Sequence, residues 1–86
     1  MGQRILVIRF GSLGDVILTS ATVLNLKLSF PDSHLVYLTK ERFRSLVEKF
    51  DGVDEVRTLA DEGGALRFYR LLSQLDAMNF NMVVDL

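Results

Sequence analysis

Ile5-Leu6-Val7-Ile8-Arg9-Phe10-Gly11-Ser12-Leu13-Gly14-Asp15-Val16-Ile17 decides how the chain folds. The first four residues are apolar without a break, and three of them are β-branched. Such a run suits a strand buried on both faces, the pattern of a parallel sheet. Arg9 ends the run with a charge at the strand's carboxyl end. Small residues then make a tight turn, and Asp15 falls in the first turn of a helix. A strand, a small-residue turn and a helix at the start of an α/β chain form a common place for a ligand site.

Outward from this stretch, strand and helix patterns alternate. Ser12 opens the first helix and Asp15 stands three residues on, a variant of the Ser-x-x-Glu capping box. Ile17, Ala21, Leu24 and Leu28 recur at helical spacing, while Val16, Val23, Leu26 and Phe30 form a second apolar set. A helix apolar over so much of its surface calls for more cover than one sheet face supplies. Pro31-Asp32 stops it. A second strand is expected over 34–39. A second helix follows over 41–50, with Phe43, Leu46, Val47 and Phe50 on one face. Asp51-Gly52 marks a turn, and 53–59 reads as a third strand. Asp61-Glu62-Gly63-Gly64 is a polar break. A third helix is expected over 65–78 with Phe68, Leu72 and Leu75 inward and Tyr69 in the core. A fourth strand covers 80–86.

This β-α-β-α-β-α-β order predicts an α/β domain with a parallel sheet and right-handed crossovers. The expected strand order is 3-2-1-4, half of a doubly wound fold. The chain then reverses direction between strands 1 and 4, so the crevice lies between the turn at 11–15 and Asp85. The fourth strand forms an apolar edge, which invites pairing with another chain. Two expectations follow: that 1–86 is the first part of a longer protein, or that a small complete domain self-associates through the strand 4 edge.

Composition narrows the function. With 86 residues there is room for one small domain, and 49% hydrophobic residues suffice for a packed core. The net charge is −1 and no basic stripe occurs, which argues against nucleic acid. The chain has no cysteine and one histidine, which leaves neither disulfides nor a thiolate or histidine metal cluster. Apolar runs reach only about four residues, far short of the roughly 20 of a membrane span. The amino terminus lacks a secretory signal pattern, so the default expectation is a cytoplasmic protein.

The turn at 11–14 lacks the G-x-G-x-x-G spacing of a dinucleotide site and the spacing of a P-loop. Its small residues still allow a ligand close to the backbone, at a helix amino end that favours an anion. Asp15 has two readings. It caps the helix, which spacing alone favours, or it is a carboxylate at a crevice that accepts a proton from a substrate hydroxyl. Arg9 is either a rim charge or an anion contact. Asp85 is either a second crevice acid or the polar end of a buried strand, and the latter is favoured. His34 lies at the opposite end of the sheet and reads as solvated, as do Lys40, Glu41, Arg42 and Arg44.

Taken together, residues 5–17 resemble the opening of the bacterial lipopolysaccharide heptosyltransferases of glycosyltransferase family 9. Phe30-Pro31-Asp32, Lys40-Glu41-Arg42-Phe43, Val53-Asp54-Glu55-Val56 and Val83-Val84-Asp85-Leu86 match in the same order. The Ser-x-Gly-Asp turn is the most specific part. Gly11 departs from the pattern, where a second serine is more usual. The resemblance implies a Rossmann-like amino-terminal domain of a two-domain GT-B enzyme. That domain would bind the lipid-linked lipopolysaccharide core acceptor, and an absent carboxyl-terminal domain would bind ADP-heptose or a related ADP-sugar. It implies Asp15 as catalytic base for inverting, metal-independent transfer, with Arg9, Gly11, Ser12, Leu13 and Gly14 lining the substrate. No cofactor or metal is expected beyond the ADP-sugar substrate. The 86-residue chain alone is expected to be inactive. The expected place is the cytoplasm, with peripheral association at the inner face of the inner membrane. The rival reading is a non-enzymatic half-Rossmann binding module with a degenerate anion site.

Overall fold

The computed structural model describes residues 2–59 and 65–86. The expected break at 61–64 lies outside the described residues, as do the side chains of Phe68, Tyr69 and Leu72. Strands β1 (Arg4–Ile8), β2 (His34–Lys40), β3 (Glu55–Leu59) and β4 (Met82–Asp85) form one sheet in the order β3-β2-β1-β4. Every pairing is parallel, with Leu6 opposite both Val36 and Val83. This is the predicted fold class and strand order. β1 is central, which is why its run is apolar on both faces.

Alternation along the strands divides the core in two. Ile5, Val7, Leu35 and Tyr37 face helix α1 (Leu13–Ser29) and the segment after β2, packing against Val16, Val23, Phe43 and Val47. Leu6, Val36 and Leu38 face helix α2 (Ala65–Ala77), against Leu71 and Leu75. Of the two apolar sets on α1, Val16 and Val23 meet the sheet, with Leu26 and Phe30 packed beside them. Ile17, Ala21, Leu24 and Leu28 face outward together with Leu13 and Leu18, and Leu28 is 70% exposed. Among the described residues nothing covers this stripe.

The expected helix over 41–50 is broken. A 3₁₀ turn, Glu41–Phe43, leads into a single α-turn, Arg44–Val47. Phe43 and Val47 are buried as expected, but polar bonds set the local shape. Arg44 donates to Glu41 and to Thr58 of β3, and Thr58 donates to Glu41. Glu41 and Arg42 are exposed and Arg44 is partly so, as expected, and they also make contacts: Glu41 and Arg44 lash the turn to β3, and Arg42 lies over the Phe43 ring. Gly52 has φ +99, a conformation in which side chains are strained, and it lets the chain turn tightly against Lys27. The fourth strand starts later than expected. Asn79 takes φ 55 at the end of α2, and Asn81 joins Arg4 through its main chain and its side-chain oxygen.

Two polar links fix α1 to the sheet. Thr19 and Tyr37 are buried with their hydroxyls 2.6 Å apart. Thr19 spends its one proton on the Val16 carbonyl, so the Tyr37 hydroxyl is the donor between them. Tyr37→Phe therefore removes one buried bond while leaving Thr19 paired. It should cost about 1 kcal/mol in equilibrium urea unfolding.

At the other end of α1, Lys27 donates to the Ser33 carbonyl at 2.5 Å and to Asp54 at 2.6 Å, and the Leu35 amide donates to the same Asp54 oxygen. Partial burial pushes the Asp54 carboxyl up, but the Lys27 bond, the Leu35 amide and the nearby charges outweigh it, and the net direction is down. A carboxyl depressed in the folded state leaves the unfolded state binding more protons in acid. Its stabilisation is complete above the unfolded value of about 3.9 and is lost as pH falls through the lower folded value. Acid unfolding followed by circular dichroism should show stability falling in that window, with a shallower fall for Asp54→Asn.

Candidate functional site

The site forms where β1 hands over to α1. The Arg9 main-chain N–H donates to the Leu38 carbonyl at 3.0 Å, keeping the residue in line with the sheet. Its side chain turns toward β4. Nη1 donates to the Leu86 carbonyl oxygen at 2.6 Å, and Nη2 lies 2.9 Å from Oδ2 of Asp15. Ser12 Oγ donates to that same carboxylate oxygen at 3.1 Å. Arg9 thus spans the gap between the turn and the end of β4, where the reversal in strand order puts the crevice.

Asp15 is about half-exposed, yet its carboxyl is held below the ordinary carboxylate range. The Arg9 hydrogen bond is the largest cause, followed by the Ser12 hydroxyl and the Arg9 charge. At neutral pH the group is therefore an ionised acceptor. The capping box expected from Ser12 and Asp15 is only partly present. Ser12 has extended N-cap backbone angles, and its carbonyl accepts the first helical bond from Val16. Its hydroxyl makes no cap bond and serves the Asp15 carboxylate instead.

Of the six residues singled out, the structure brings Arg9, Gly11, Ser12 and Asp15 together. A Cβ on Gly11 would stand 2.9 Å from Arg9 Nε, so the guanidinium lies against a bare backbone. Leu13 points outward at the head of the exposed α1 stripe. Gly14 faces open space, with nothing within 4 Å of where its Cβ would be. The reach of Arg9 to Leu86 was not readable from spacing, because the two residues lie 77 positions apart.

A groove of about 640 Å³ opens on the α2 face of the sheet, lined by Ile8, Phe10, Leu75, Phe80, Val83 and Asp85. It is apolar, and neither Arg9 nor Asp15 lines it. Asp85, expected as the polar end of a buried strand, is exposed at the groove's rim. His34 lies at the far end of the sheet, as expected. It is not merely solvated, since Nε2 is 3.1 Å from Glu55. Among the described residues no three His, Asp or Glu side chains are grouped to hold a metal ion, and no helix is long and apolar enough to cross a membrane.

The chain is similar in fold to part of a solved structure. A glycosyl transferase of family 9 from Veillonella parvula DSM 2008 matches 98% of this chain with a TM-score of 0.88 and 26% identity. The chain is similar to a family 9 glycosyl transferase. It spans 26% of that protein's length. No protein-family model matches the chain, and no curated protein does. The likeness reaches the fold and the glycosyl transferase class, coarser than the heptose specificity that the sequence pattern suggests.

Against that transferase likeness, Gly14 stands out. It sits in the first turn of α1, where its own packing requires no glycine, and glycine is a poor helix former. Gly14→Ala should therefore stabilise the chain by about 0.5 kcal/mol, read as a higher urea midpoint.

Proposed function

We propose that the chain forms the acceptor side of a sugar-nucleotide-dependent glycosyltransferase, with Asp15 as its general base. The carrying observation is the ionised Asp15 carboxylate, aimed by Arg9 and Ser12 at the strand-to-helix turn of a fold similar to a family 9 transferase. In this reading Asp15 accepts the proton of an acceptor hydroxyl. The freed oxygen pair attacks the anomeric carbon, and the bond to the ADP leaving group breaks on the opposite face, inverting the centre. The exposed, side-chain-free Gly14 supports close approach of the acceptor to the turn.

The finer assignment follows the sequence resemblance. The sugar is a heptose or a related sugar carried on ADP, and the acceptor is the lipid-linked lipopolysaccharide core at the inner face of the inner membrane. Because the chain spans about a quarter of the similar transferase, donor binding is assigned to a second, GT-B-type domain beyond these residues. The reaction is read as metal-independent, and the 86-residue chain alone as inactive.

Asp15→Asn in the complete transferase tests the base. It keeps the size and most hydrogen bonds of the side chain but cannot take the proton. Turnover should fall by about 10²–10⁴-fold with acceptor binding retained. Turnover near that of the unchanged enzyme would refute the base, and a change in stability alone would favour the binding-module reading.

A further inference from the structure

Arg9 is placed oddly for a residue serving stability alone. Its Nε is buried and has no partner among the described residues, although the two other nitrogens are engaged. A buried donor left unpaired is unfavourable. The group lies against Gly11. The guanidinium occupies the space of a residue-11 side chain, with Nε, Nη2 and Cζ at 2.9, 3.0 and 3.1 Å from the ideal Cβ position. Gly11 does not have a left-handed backbone that would by itself demand glycine. The Arg9 side chain is what a larger residue would meet.

We propose that Arg9 and Gly11 act as one positioning latch, in which the absence of a side chain at 11 lets the Arg9 guanidinium seat against the backbone and hold the Asp15 carboxylate to the end of β4. The size of residue 11 then decides where that carboxylate points. With glycine the guanidinium seats and Asp15 is tied. With alanine or serine the guanidinium has to shift off that seat, because it belongs to a long, flexible side chain and the backbone does not. Its hold on Asp15 then loosens, and Ser12 carries more of it. The latch stands on the geometry alone, and only its bearing on a catalytic base rests on the glycosyltransferase reading.

The groups acting on the Asp15 carboxyl are Arg9 and Ser12. Asp85, at the end of β4, lines the groove on the opposite face of the sheet. In a polypeptide ending at Leu86, the oxygen that Arg9 Nη1 meets belongs to the terminal carboxylate, whose own titration is followed separately.

The test is nuclear magnetic resonance on the 86-residue chain, in the unchanged protein, Gly11→Ala, Arg9→Met and the double variant. Two signals are read: the titration midpoint of the Asp15 side chain and the exchange of the Arg9 Nε proton with water. Gly11→Ala should shift the Asp15 midpoint upward, as Arg9→Met does, and should expose an Nε proton that is protected in the unchanged chain. In the Arg9→Met background, Gly11→Ala should shift the midpoint no further. Equal midpoints and equal Nε protection in the unchanged chain and Gly11→Ala would overturn the latch. So would additive shifts in the double variant. Should Gly11→Ala lose the fold, Gly11→Ser and Arg9→Lys read the same two signals. None of these outcomes depends on turnover, so the latch and the base assignment fail separately.

Discussion

A strand that is apolar on both faces has to be covered on both faces, and β1 is that strand. Ile5 and Val7 bury toward α1, and Leu6 buries toward α2. This constraint puts β1 between β2 and β4 and sends the two helices to opposite sides of the sheet. It also determines where the chain reverses. With β1 central, the end of β1 and the end of β4 lie side by side, and the turn into α1 opens over them. The charged cluster of Arg9, Ser12 and Asp15 is located by the burial of residues that carry no charge.

The two layers over the sheet are not equally complete. On the α1 side, Val16, Val23, Phe43 and Val47 close over Tyr37, whose ring also meets Phe50 edge-on at 6.1 Å. On the α2 side, the groove leaves Val83 more than half exposed. The outward face of α1 is the second open apolar surface. A helix with one apolar set on the sheet and another on its outer face has more apolar surface than a four-stranded layer uses. Both surfaces border the end of the sheet where the turn lies, through Leu13 on one side and Phe10 on the other.

Most of the fold was legible because the signals that set it are local. The run at Ile5-Leu6-Val7-Ile8, the Pro31-Asp32 stop and the Asp51-Gly52 turn each act within a few residues. The segment over 41–50 misled because apolar spacing records which side chains go inward and not whether the backbone stays helical. Phe43 and Val47 do go inward, while Glu41, Arg44 and Thr58 hold a tighter turn. Asp15 and Ser12 were legible as a pair, but not the direction of their bond. A hydroxyl three residues before a carboxylate can cap the helix or serve the acid, and here it serves an acid that Arg9 also holds. The seat of Arg9 in turn uses the end of β4 beside β1, a contact made across almost the whole chain.

Under the proposed base role of Asp15, the ion pair looks at first like an obstacle, since it lowers the proton affinity of that carboxyl. The balance changes along a glycosyl transfer. An acceptor hydroxyl is far less acidic than a carboxylic acid while it is intact, and it becomes strongly acidic as its oxygen bonds to an electron-poor anomeric carbon. The proton then moves late, when even a weak base suffices. What matters more is that the carboxylate is ionised and aimed, because misplacement of about 1 Å can cost on the order of 10²-fold in rate. Arg9 and the Ser12 hydroxyl both hold Oδ2 of Asp15, and the Ser12 main-chain amide adds a smaller pull on the same carboxyl. The carboxyl keeps a link to the Ser12 main-chain amide, as a capping acid does, and adds to it an arginine that reaches across to β4.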